Sequence, residues 1–262
     1  MVKIGVLQLQ IRKDEDNFNK IEELINEAKE KGIEIVCLPE KWNAKAALDP
    51  IENKEGNVFQ FLSKIAKKYK IFIVGGAILV KIDDKNYVVS YVFDNNGKCI
   101  GNQRKIHLYS YENQYITSGS ELELINTELG IIGVAICFDL NAFPEVGRAY
   151  ALNGADIVFN PSMISEVGIE NWHIYLKARA LENRMPVVGV NGVGKSPAGN
   201  LMTGESIIIG FHKGHESPAK LKIIQGEKNK EQLIFADLDL KYPQKIRQNR
   251  LSNIKSFKIK KN

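Results

Sequence analysis

Short, solidly apolar runs alternate along this chain with segments whose apolar residues recur at helical spacing. The runs are typical of strands buried on both faces, and the spaced segments are typical of amphipathic helices that cover such strands. Strands are predicted at residues 3–9, 33–38, 71–80, 87–93, 98–101, 131–136, 156–160, 187–190, 206–209, 221–224 and 233–238. Helices are predicted at residues 18–28, 58–66, 143–153 and 173–182. The pattern therefore predicts an α/β protein.

Two turn signals predict hairpins within this series. Asn95-Asn96-Gly97 separates the strands at 87–93 and 98–101, and Lys213-Gly214 separates those at 206–209 and 221–224. No stretch rich in Ser or Gly divides the chain, so residues 1–240 are predicted to form a single domain.

One short sequence frame occurs twice. Residues 32–40 and 154–162 share a Gly that ends a helix, an acidic residue, an Ile-Val pair, and a Pro seven residues after the Gly. Each frame follows a strand and a helix, so the chain contains two βαβ halves. Solidly apolar strands need helices on their outer faces, so the two halves predict a four-layer αββα sandwich with mixed sheets.

The charge is concentrated at the C-terminal end. The chain has 262 residues and a formal charge of +5, yet residues 241–262 carry eight basic and no acidic side chains, so the first 240 residues are mildly acidic. Residues 241–262 are interpreted as a basic tail that packs along its own or a neighbouring subunit. Nucleic acid is a less favoured partner, because no aromatic stacking platform accompanies the charge.

The remaining composition excludes several classes of protein. The longest apolar stretches, 71–80 and 129–138, have ten residues each, whereas a bilayer crossing needs about 20, so no membrane partner is expected. The apolar run at the N-terminus is too short for a secretory signal. Three cysteines are too few and odd in number for a disulfide scaffold, which predicts a protein of the reducing cytoplasm.

Three reactive side chains, Glu40, Lys105 and Cys137, each follow a predicted strand. Ligands of open α/β sheets gather at the carboxyl ends of strands, so we expect Glu40, Cys137 and Ser162, which lie at such ends, on a common edge. A thiol near the free N–H groups of a strand-to-helix turn can have a lowered pKa, and the same groups can receive an oxyanion. Taken singly, Cys137 is more often a core cysteine, and Glu40 and Lys105 are ordinary loop residues. Their order along the chain makes them informative together.

Leu38-Pro39-Glu40, Arg104-Lys105-Ile106-His107-Leu108 and Ile136-Cys137-Phe138-Asp139 occur in that order. This arrangement resembles the nitrilase superfamily of carbon–nitrogen hydrolases, and specifically its amidase and ω-amidase-like branch. Further matching segments lie at residues 154–162, 172–173, 177–184, 204–206 and 236–239. The resemblance extends from about residue 3 to residue 240.

The resemblance implies a Glu–Lys–Cys triad on an αββα sandwich. It assigns Cys137 as the nucleophile, Glu40 as the general base and acid, and Lys105 as the stabiliser of the oxyanion, with the backbone N–H of Phe138 as a second donor. It assigns Glu112 to the positioning of substrate and lysine. Hydrolysis passes through a thioester on the cysteine, with no metal and no organic cofactor. The resemblance also implies a homodimer or higher homo-oligomer, with contacts near residues 143–153 and 173–182.

The predicted pocket departs from the usual family pattern. The loop from Cys137 to Glu145 is one residue longer than in many members, and it lacks the arginine that the motif contains there. Its walls are predicted from the aromatic and sulfur-containing residues that flank the triad motifs, namely Trp42, Tyr111, Phe138 and Met163.

The expected activity is cleavage of a small amide, either a short ω-amide or an aliphatic carboxamide. Hydrolysis of a nitrile or an N-carbamoyl amine remains an alternative, because the same triad serves both. A non-catalytic ligand-binding protein is a more distant alternative, and its only support is the longer loop. The four histidines form no Cys–His arrangement that the chain suggests.

Overall fold

The strands and helices predicted from the apolar pattern occur in the predicted order, and the structure adds further short strands and further helices to them. The protein is described here by a computed structural model that covers residues 1–12, 17–44, 46, 48, 50–256, 258 and 260. Its strands are β1 (Val2–Gln8), β2 (Ile35–Cys37), β3 (Glu52–Asn53), β4 (Phe72–Val74), β5 (Ile78–Ile82), β6 (Lys85–Phe93), β7 (Cys99–Arg104), β8 (Ile125–Thr127), β9 (Gly130–Val134), β10 (Ile157–Pro161), β11 (Val187–Val190), β12 (Val193–Lys195), β13 (Leu201–Thr203), β14 (Ile207–Glu216), β15 (Ala219–Gln225) and β16 (Gln232–Leu238). Its α-helices are α1 (Phe18–Glu30), α2 (Asn57–Tyr69), α3 (Glu112–Tyr115), α4 (Phe138–Asn141), α5 (Pro144–Leu152), α6 (Ile169–Asn183) and α7 (Lys241–Leu251).

The strands form two large mixed sheets and one small hairpin. The first sheet follows the order β16-β1-β2-β4-β6-β5-β3, with β7 also paired to β6, and the second follows β15-β14-β11-β10-β9-β8. β12 and β13 pair only with each other among the strands described. In the first sheet β1, β2 and β4 are parallel, and in the second β9, β10 and β11 are parallel. The two predicted βαβ halves are therefore present, one in each sheet.

Three apolar clusters separate four layers. Side chains such as Val6 and Val134 fill the space between the two sheets. Ile25 and Leu62, from α1 and α2, cover the outer face of the first sheet, and Leu176, from α6, helps cover the second. The αββα sandwich predicted from the sequence is thus confirmed.

The strand predicted at 71–80 is interrupted by a bulge. β4 and β5 both pair antiparallel with β6, but Val74 faces Val92 whereas Ile78 faces Val89, so β4–β5 has one extra residue. The extra residue falls in Gly75-Gly76-Ala77, where Gly76 has a positive φ of 71°. A Cβ at Gly76 would collide with the carbonyl oxygen of Pro39, so this close approach requires glycine.

The hairpin predicted at Lys213-Gly214 turns later, at Ser217-Pro218. β14 continues to Glu216, and its pairing with β15 is irregular between Phe211 and Glu216. Gly214 lies in that irregular stretch with a positive φ of 81°. The two strands do form a hairpin, but its turn was predicted at the wrong position, because glycine is favoured in a bulge as well as in a turn.

The segment interpreted as a basic tail begins as a packed helix. In α7, Pro243, Ile246 and Arg247 are buried, and Ile246 joins the cluster beneath α5 and α6. The guanidinium of Arg247 donates to the carbonyl oxygen of Ala155 at 2.6 Å. The buried face of α7 is not evident from the sequence of this segment, because most of its residues are polar. The other basic side chains of α7 are exposed to solvent. Across the described part of the chain, no helix combines the length and apolar character needed to cross a bilayer.

Candidate active site

A cavity of about 470 Å³ brings together the charged residues singled out from the sequence. Glu40, Lys105, Glu112 and Cys137 all lie on its wall. Glu40 follows β2, Lys105 follows β7 and Cys137 follows β9, so both sheets contribute. The edge predicted for Glu40, Cys137 and Ser162 is also where Lys105 and Glu112 lie, and the prediction from strand ends did not include these two.

The bulge between β4 and β5 positions Glu40. The Lys41 N–H donates to the Ala77 carbonyl at 2.6 Å, and the Ala77 N–H donates to the Pro39 carbonyl at 3.3 Å. From the other sheet, the Ser162 carbonyl accepts the Glu40 N–H at 3.2 Å. Glu40 and Ser162 occupy equivalent positions in the repeated frame. The two halves of the sandwich are therefore hydrogen-bonded to each other at Glu40.

Lys105 lies between two carboxylates. Its Nζ is 2.8 Å from Glu40 Oε1 and 2.9 Å from Glu112 Oε2. The other oxygen of Glu112 is 2.7 Å from the Nζ of Lys41, which also donates to the Tyr111 hydroxyl at 3.1 Å. All four charged side chains are almost completely buried. Two lysines and two glutamates thus form a compact network of zero net charge.

Each charge in this network favours the ionised form of the oppositely charged side chains beside it. Burial disfavours the charge of Lys105, but Glu40, Cys137 and Glu112 together raise its pKa well above the ordinary value. Burial likewise opposes ionisation of Glu112, but Lys105 and Lys41 hold its pKa below the ordinary value. Desolvation of Lys41 is outweighed by Glu40 and Glu112, which raise its pKa. Both lysines therefore remain cations near neutral pH, and Glu112 remains an anion.

Cys137 occupies a strained turn between β9 and α4. Its φ of 46° and ψ of −106° are unusual for a side chain with a Cβ, and such strain is concentrated at functional sites. The Cys137 N–H donates to the Pro161 carbonyl at 2.9 Å, and its own carbonyl accepts the Asn160 Nδ2 at 3.1 Å. Phe138, the next residue, begins α4, so its N–H has no acceptor within the helix.

The strand-to-helix turn predicted a lowered pKa for the Cys137 thiol, and this prediction is wrong. Burial and the negative charge of Glu40 raise the pKa of Cys137 to about 12, and Lys105 and a hydrogen bond from the Met163 backbone only partly oppose them. Desolvation in this pocket outweighs the backbone dipoles. Cys137 therefore rests as a thiol and needs a base to become nucleophilic.

Asp139 connects the loop that carries Lys105 to the turn that carries Cys137. Its carboxylate accepts the N–H groups of Ile106 at 3.2 Å and His107 at 2.7 Å, and lies 2.9 Å from His107 Nδ1. The His107 ring stacks on Phe143 at 3.5 Å between centroids. These contacts fix the loop of Lys105 against the turn of Cys137, although the two residues are 32 positions apart in the sequence.

Three of the four predicted pocket walls line the cavity: Tyr111, Phe138 and Met163. Trp42 does not. It is 1% exposed in the cluster between the first sheet and its helices, and its Nε1 donates to the Gly75 carbonyl at 2.9 Å. The chain reverses through Lys41, whose φ is 52°, and this turns Trp42 away from the cavity.

Sequence reasoning missed several residues of the site. Lys41 is the most important, and its position directly after Pro39-Glu40 was the available signal. Asn141, Trp172 and Tyr175 also line the cavity, as do Ser196, Ala198 and Asn200 of the loop between β12 and β13 and Met202 of β13. Asn141 lies in the single turn of α4 and the residues near 196–202 lie in or beside a loop, so no periodic pattern marks them, and helical spacing alone does not show that Trp172 and Tyr175 of α6 face the cavity. In the described residues, no group of three His, Cys, Asp or Glu side chains is placed to hold a metal ion.

Known proteins resemble this chain along most of its length. A family model described as carbon-nitrogen hydrolase matches residues 3–248. The chain is 30% identical to Omega-amidase NIT2-B of Xenopus laevis, over 94% of each chain. It is 32% identical to Omega-amidase NIT3 of Saccharomyces cerevisiae, over 82% of this chain and 77% of the other.

Solved structures show the same fold. The crystal structure of Saccharomyces cerevisiae Nit3, a member of branch 10 of the nitrilase superfamily, superposes with a TM-score of 0.82 at 29% identity, covering 95% of this chain and 93% of the other. An amidase from Nesterenkonia sp. AN1, described with acrylamide added at its active-site cysteine, gives a TM-score of 0.76 at 21% identity, covering 97% and 99%. With the family model spanning nearly the whole chain, this protein belongs to the carbon–nitrogen hydrolases of the nitrilase superfamily and is an amidase-like enzyme.

Proposed function

We propose that this protein hydrolyses a small amide through a thioester on Cys137, with Glu40 as general base and acid and Lys105 as oxyanion stabiliser. One observation carries the proposal: Lys105 Nζ bridges Glu40 and Glu112 in the cavity that also holds Cys137. A thiol with a pKa of about 12 needs an adjacent base, and Glu40 is the carboxylate whose charge acts most strongly on it.

In the first half-reaction Glu40 takes the thiol proton while the sulfur electron pair bonds to the amide carbon. The carbonyl π pair moves to oxygen, where Lys105 and the Phe138 N–H hold the developing charge. The carbonyl then re-forms, the C–N bond breaks, and Glu40 returns its proton to the departing nitrogen. Ammonia or an amine leaves, and the acyl group remains on sulfur.

In the second half-reaction Glu40 takes a proton from water while the water oxygen attacks the thioester carbon. The same donors hold the oxyanion. The C–S bond then breaks, sulfur regains a proton from Glu40, and the carboxylic acid leaves. Glu112, held by Lys41 and by the Tyr109 N–H at 2.9 Å, keeps Lys105 directed towards the reacting carbonyl.

The proposed substrates are short ω-amides or aliphatic carboxamides. Relatives named omega-amidases support the amide class, and a cavity of about 470 Å³ suits a small molecule. Nitriles and N-carbamoyl amines belong in the same assay, because the proposed side chains could also act on them.

The test combines ammonia detection with intact-mass spectrometry on a panel of amides, nitriles and carbamoyl compounds. We expect ammonia release and an acyl adduct that Cys137→Ala abolishes and Cys99→Ala retains. Lys105→Met is expected to lower kcat/KM roughly 100- to 1000-fold. No turnover, together with a Cys137 that alkylates no faster than Cys37 or Cys99, would instead support a ligand-binding role.

We also propose that the enzyme is a cytoplasmic homodimer. All three cysteines are free, which fits a reducing compartment. Leu152 on α5 and Ile174 on α6 are each 56% exposed, and these helices are the expected contact. Light scattering should give a dimer mass that Leu152→Asp or Ile174→Asp reduces to a monomer, whereas Ile254→Asp, at 58% exposure elsewhere, leaves it unchanged. A monomeric wild type would contradict this arrangement.

A further inference from the structure

Lys41 is a buried cation that lies beside the cavity but does not form part of its wall. Its side chain is 1% exposed, and it is not among the residues that line the cavity. Its Nζ is 2.7 Å from Glu112 Oε1, donates to the Tyr111 hydroxyl at 3.1 Å, and lies 5.2 Å from the centre of the Tyr111 ring. An ammonium group is costly to bury unless it is paired, so these contacts account for its position.

The turn after Glu40 directs this side chain. Lys41 has a positive φ of 52°, its N–H donates to the Ala77 carbonyl at 2.6 Å, and its own carbonyl accepts the Ala44 N–H at 3.0 Å. A left-handed conformation is strained for a residue with a Cβ, and such strain is concentrated at functional sites. The backbone thus fixes Lys41 next to Glu40 while its ammonium group reaches Glu112.

Glu112 divides its two oxygens between the two lysines. Oε1 contacts Lys41, and Oε2 lies 2.9 Å from the Lys105 Nζ and accepts the Tyr109 N–H at 2.9 Å. The Glu112 side chain is only 4% exposed, so little water can replace either lysine. Lys105 therefore contacts a carboxylate whose charge Lys41 already offsets.

The proposed attack on the amide changes the set of anions around Lys105. At rest its ammonium group contacts Glu40 and Glu112. When Glu40 takes the thiol proton it becomes neutral, and the negative charge passes through sulfur to the carbonyl oxygen of the substrate. Among the described charges of the site, two anions, the oxyanion and Glu112, then face two cations. With Lys41 on Glu112, Lys105 is left for the oxyanion, whereas without Lys41 both anions depend on Lys105.

We propose that Lys41 is a positioning residue for the oxyanion step, and that it keeps Lys105 available to the substrate by holding Glu112. This proposal rests on the proposed amide hydrolysis and deepens it. Lys41 acts through Glu112 and does not contact the substrate. The oxyanion forms only after attack on the carbonyl, so kcat depends on Lys41 and KM does not.

The first test measures kcat and KM of Lys41→Met on the amides that the wild type hydrolyses, with active sites counted by alkylation of Cys137. We expect kcat per active site to fall roughly 10- to 100-fold, less than for Lys105→Met, while KM changes by less than about twofold. Ile246→Ala is the matched control. It removes a buried side chain of α7 that does not line the cavity, so it should lose stability but keep its kcat.

The second test determines whether Lys41 acts through the charge of Glu112. Lys41→Met is introduced into Glu112→Gln, where the carboxylate that competes for Lys105 is gone. In that background the further change in kcat should be less than about twofold.

The third test measures the stability of the oxyanion without turnover. Butyraldehyde can add reversibly to Cys137: the S–C bond forms, the thiol proton passes to Glu40, and the carbonyl π pair moves to oxygen. The adduct has no nitrogen to expel, so its inhibition constant reports how well the oxygen is held. We expect this constant to rise in Lys41→Met by about the factor by which kcat falls, and to stay unchanged in Ile246→Ala.

The outcomes separate this role from the proposed function. An unchanged kcat or inhibition constant in Lys41→Met, a change in KM alone, or an equal loss of kcat with and without the Glu112 carboxylate would each overturn the role of Lys41. Amide hydrolysis by the wild type would stand in all of these cases. A wild type that hydrolyses no amide and forms no acyl adduct on Cys137 would overturn the proposed function and this role with it.

Discussion

At the scale of single residues, the site depends on the balance between buried charges. Lys41 and Lys105 offset Glu40 and Glu112, and neither lysine has access to solvent that could replace a lost partner. If Lys41 were absent, the network would carry a net negative charge before Cys137 lost its proton. Lys41 does not line the cavity, so its role is to position Glu112 and to compensate its charge.

We predict that Lys41→Met destabilises the protein by about 3 kcal/mol, because it leaves a buried carboxylate with one cation instead of two. Urea unfolding measures this loss. The double variant Lys41→Met with Glu112→Gln should recover part of it, since the uncompensated charge is then removed as well. Equal stability of the wild type and Lys41→Met would show that the pair contributes nothing.

The lowered pKa of Glu112 predicts a dependence of stability on pH. A carboxylate whose pKa is lower in the folded state binds fewer protons there, so its contribution is complete above the ordinary value of 4.5 and is lost as the pH falls through the folded value. As the pH is lowered below 4.5, the urea concentration at the unfolding midpoint should therefore decrease more steeply in the wild type than in Glu112→Gln. Glu55→Gln, at an exposed position, serves as the control and should follow the wild type.

At the scale of elements, short irregular segments place the reactive groups. Glu40 depends on the bulge between β4 and β5, and Cys137 depends on the strained turn into α4. Asp139 joins that turn to the loop of Lys105. The regular strands supply the frame, whereas the breaks in them direct the side chains into the cavity.

We predict that Gly76→Ala lowers both stability and activity. An added Cβ would collide with the Pro39 carbonyl and displace the turn that carries Glu40. Gly32→Ala is a matched control, because Gly32 has nearly the same φ, 69° against 71°, with no atom within 4 Å of an added Cβ. Gly32→Ala should cost about 1 kcal/mol and keep its activity. Similar activities in the two variants would contradict the role assigned to the bulge.

At the scale of the whole molecule, the second outer layer extends beyond the predicted domain. Ile246 and Arg247 of α7 complete the packing near α5 and α6, so the chain to Leu251 contributes to the folded unit. The family model likewise ends inside this helix, at residue 248. Residues assigned to a tail by charge alone therefore take part in the sandwich.

We predict that Ile246→Ala lowers the free energy of unfolding by about 2–4 kcal/mol, because it removes a side chain that is 3% exposed. Lys245→Ala, next to it on the exposed face of α7, should change stability by less than about 0.5 kcal/mol. Denaturant titration of both variants measures the difference. A change of less than about 0.5 kcal/mol for Ile246→Ala would show that α7 does not contribute to the stability of the folded unit.

The sequence by itself determined the layers and predicted which residues are the candidate reactive groups. Solid apolar runs and helical spacing predict buried strands and their covering helices, because burial depends on local periodicity. The repeated frame at 32–40 and 154–162 predicted the two halves. The ordered motifs predicted Glu40, Lys105 and Cys137 as neighbours, and the roles proposed for them stay predictions for the assays above.

Only the tertiary structure decided how those groups are charged and enclosed. The ion pair between Lys41 and Glu112 joins residues 71 positions apart, and the raised pKa of Cys137 arises from burial and from Glu40. The orientation of Trp42 away from the cavity depends on the turn at Lys41, which has no periodic signature. Long-range contacts set local dielectric and hydrogen bonding, and neither is encoded in the spacing of residues along the chain.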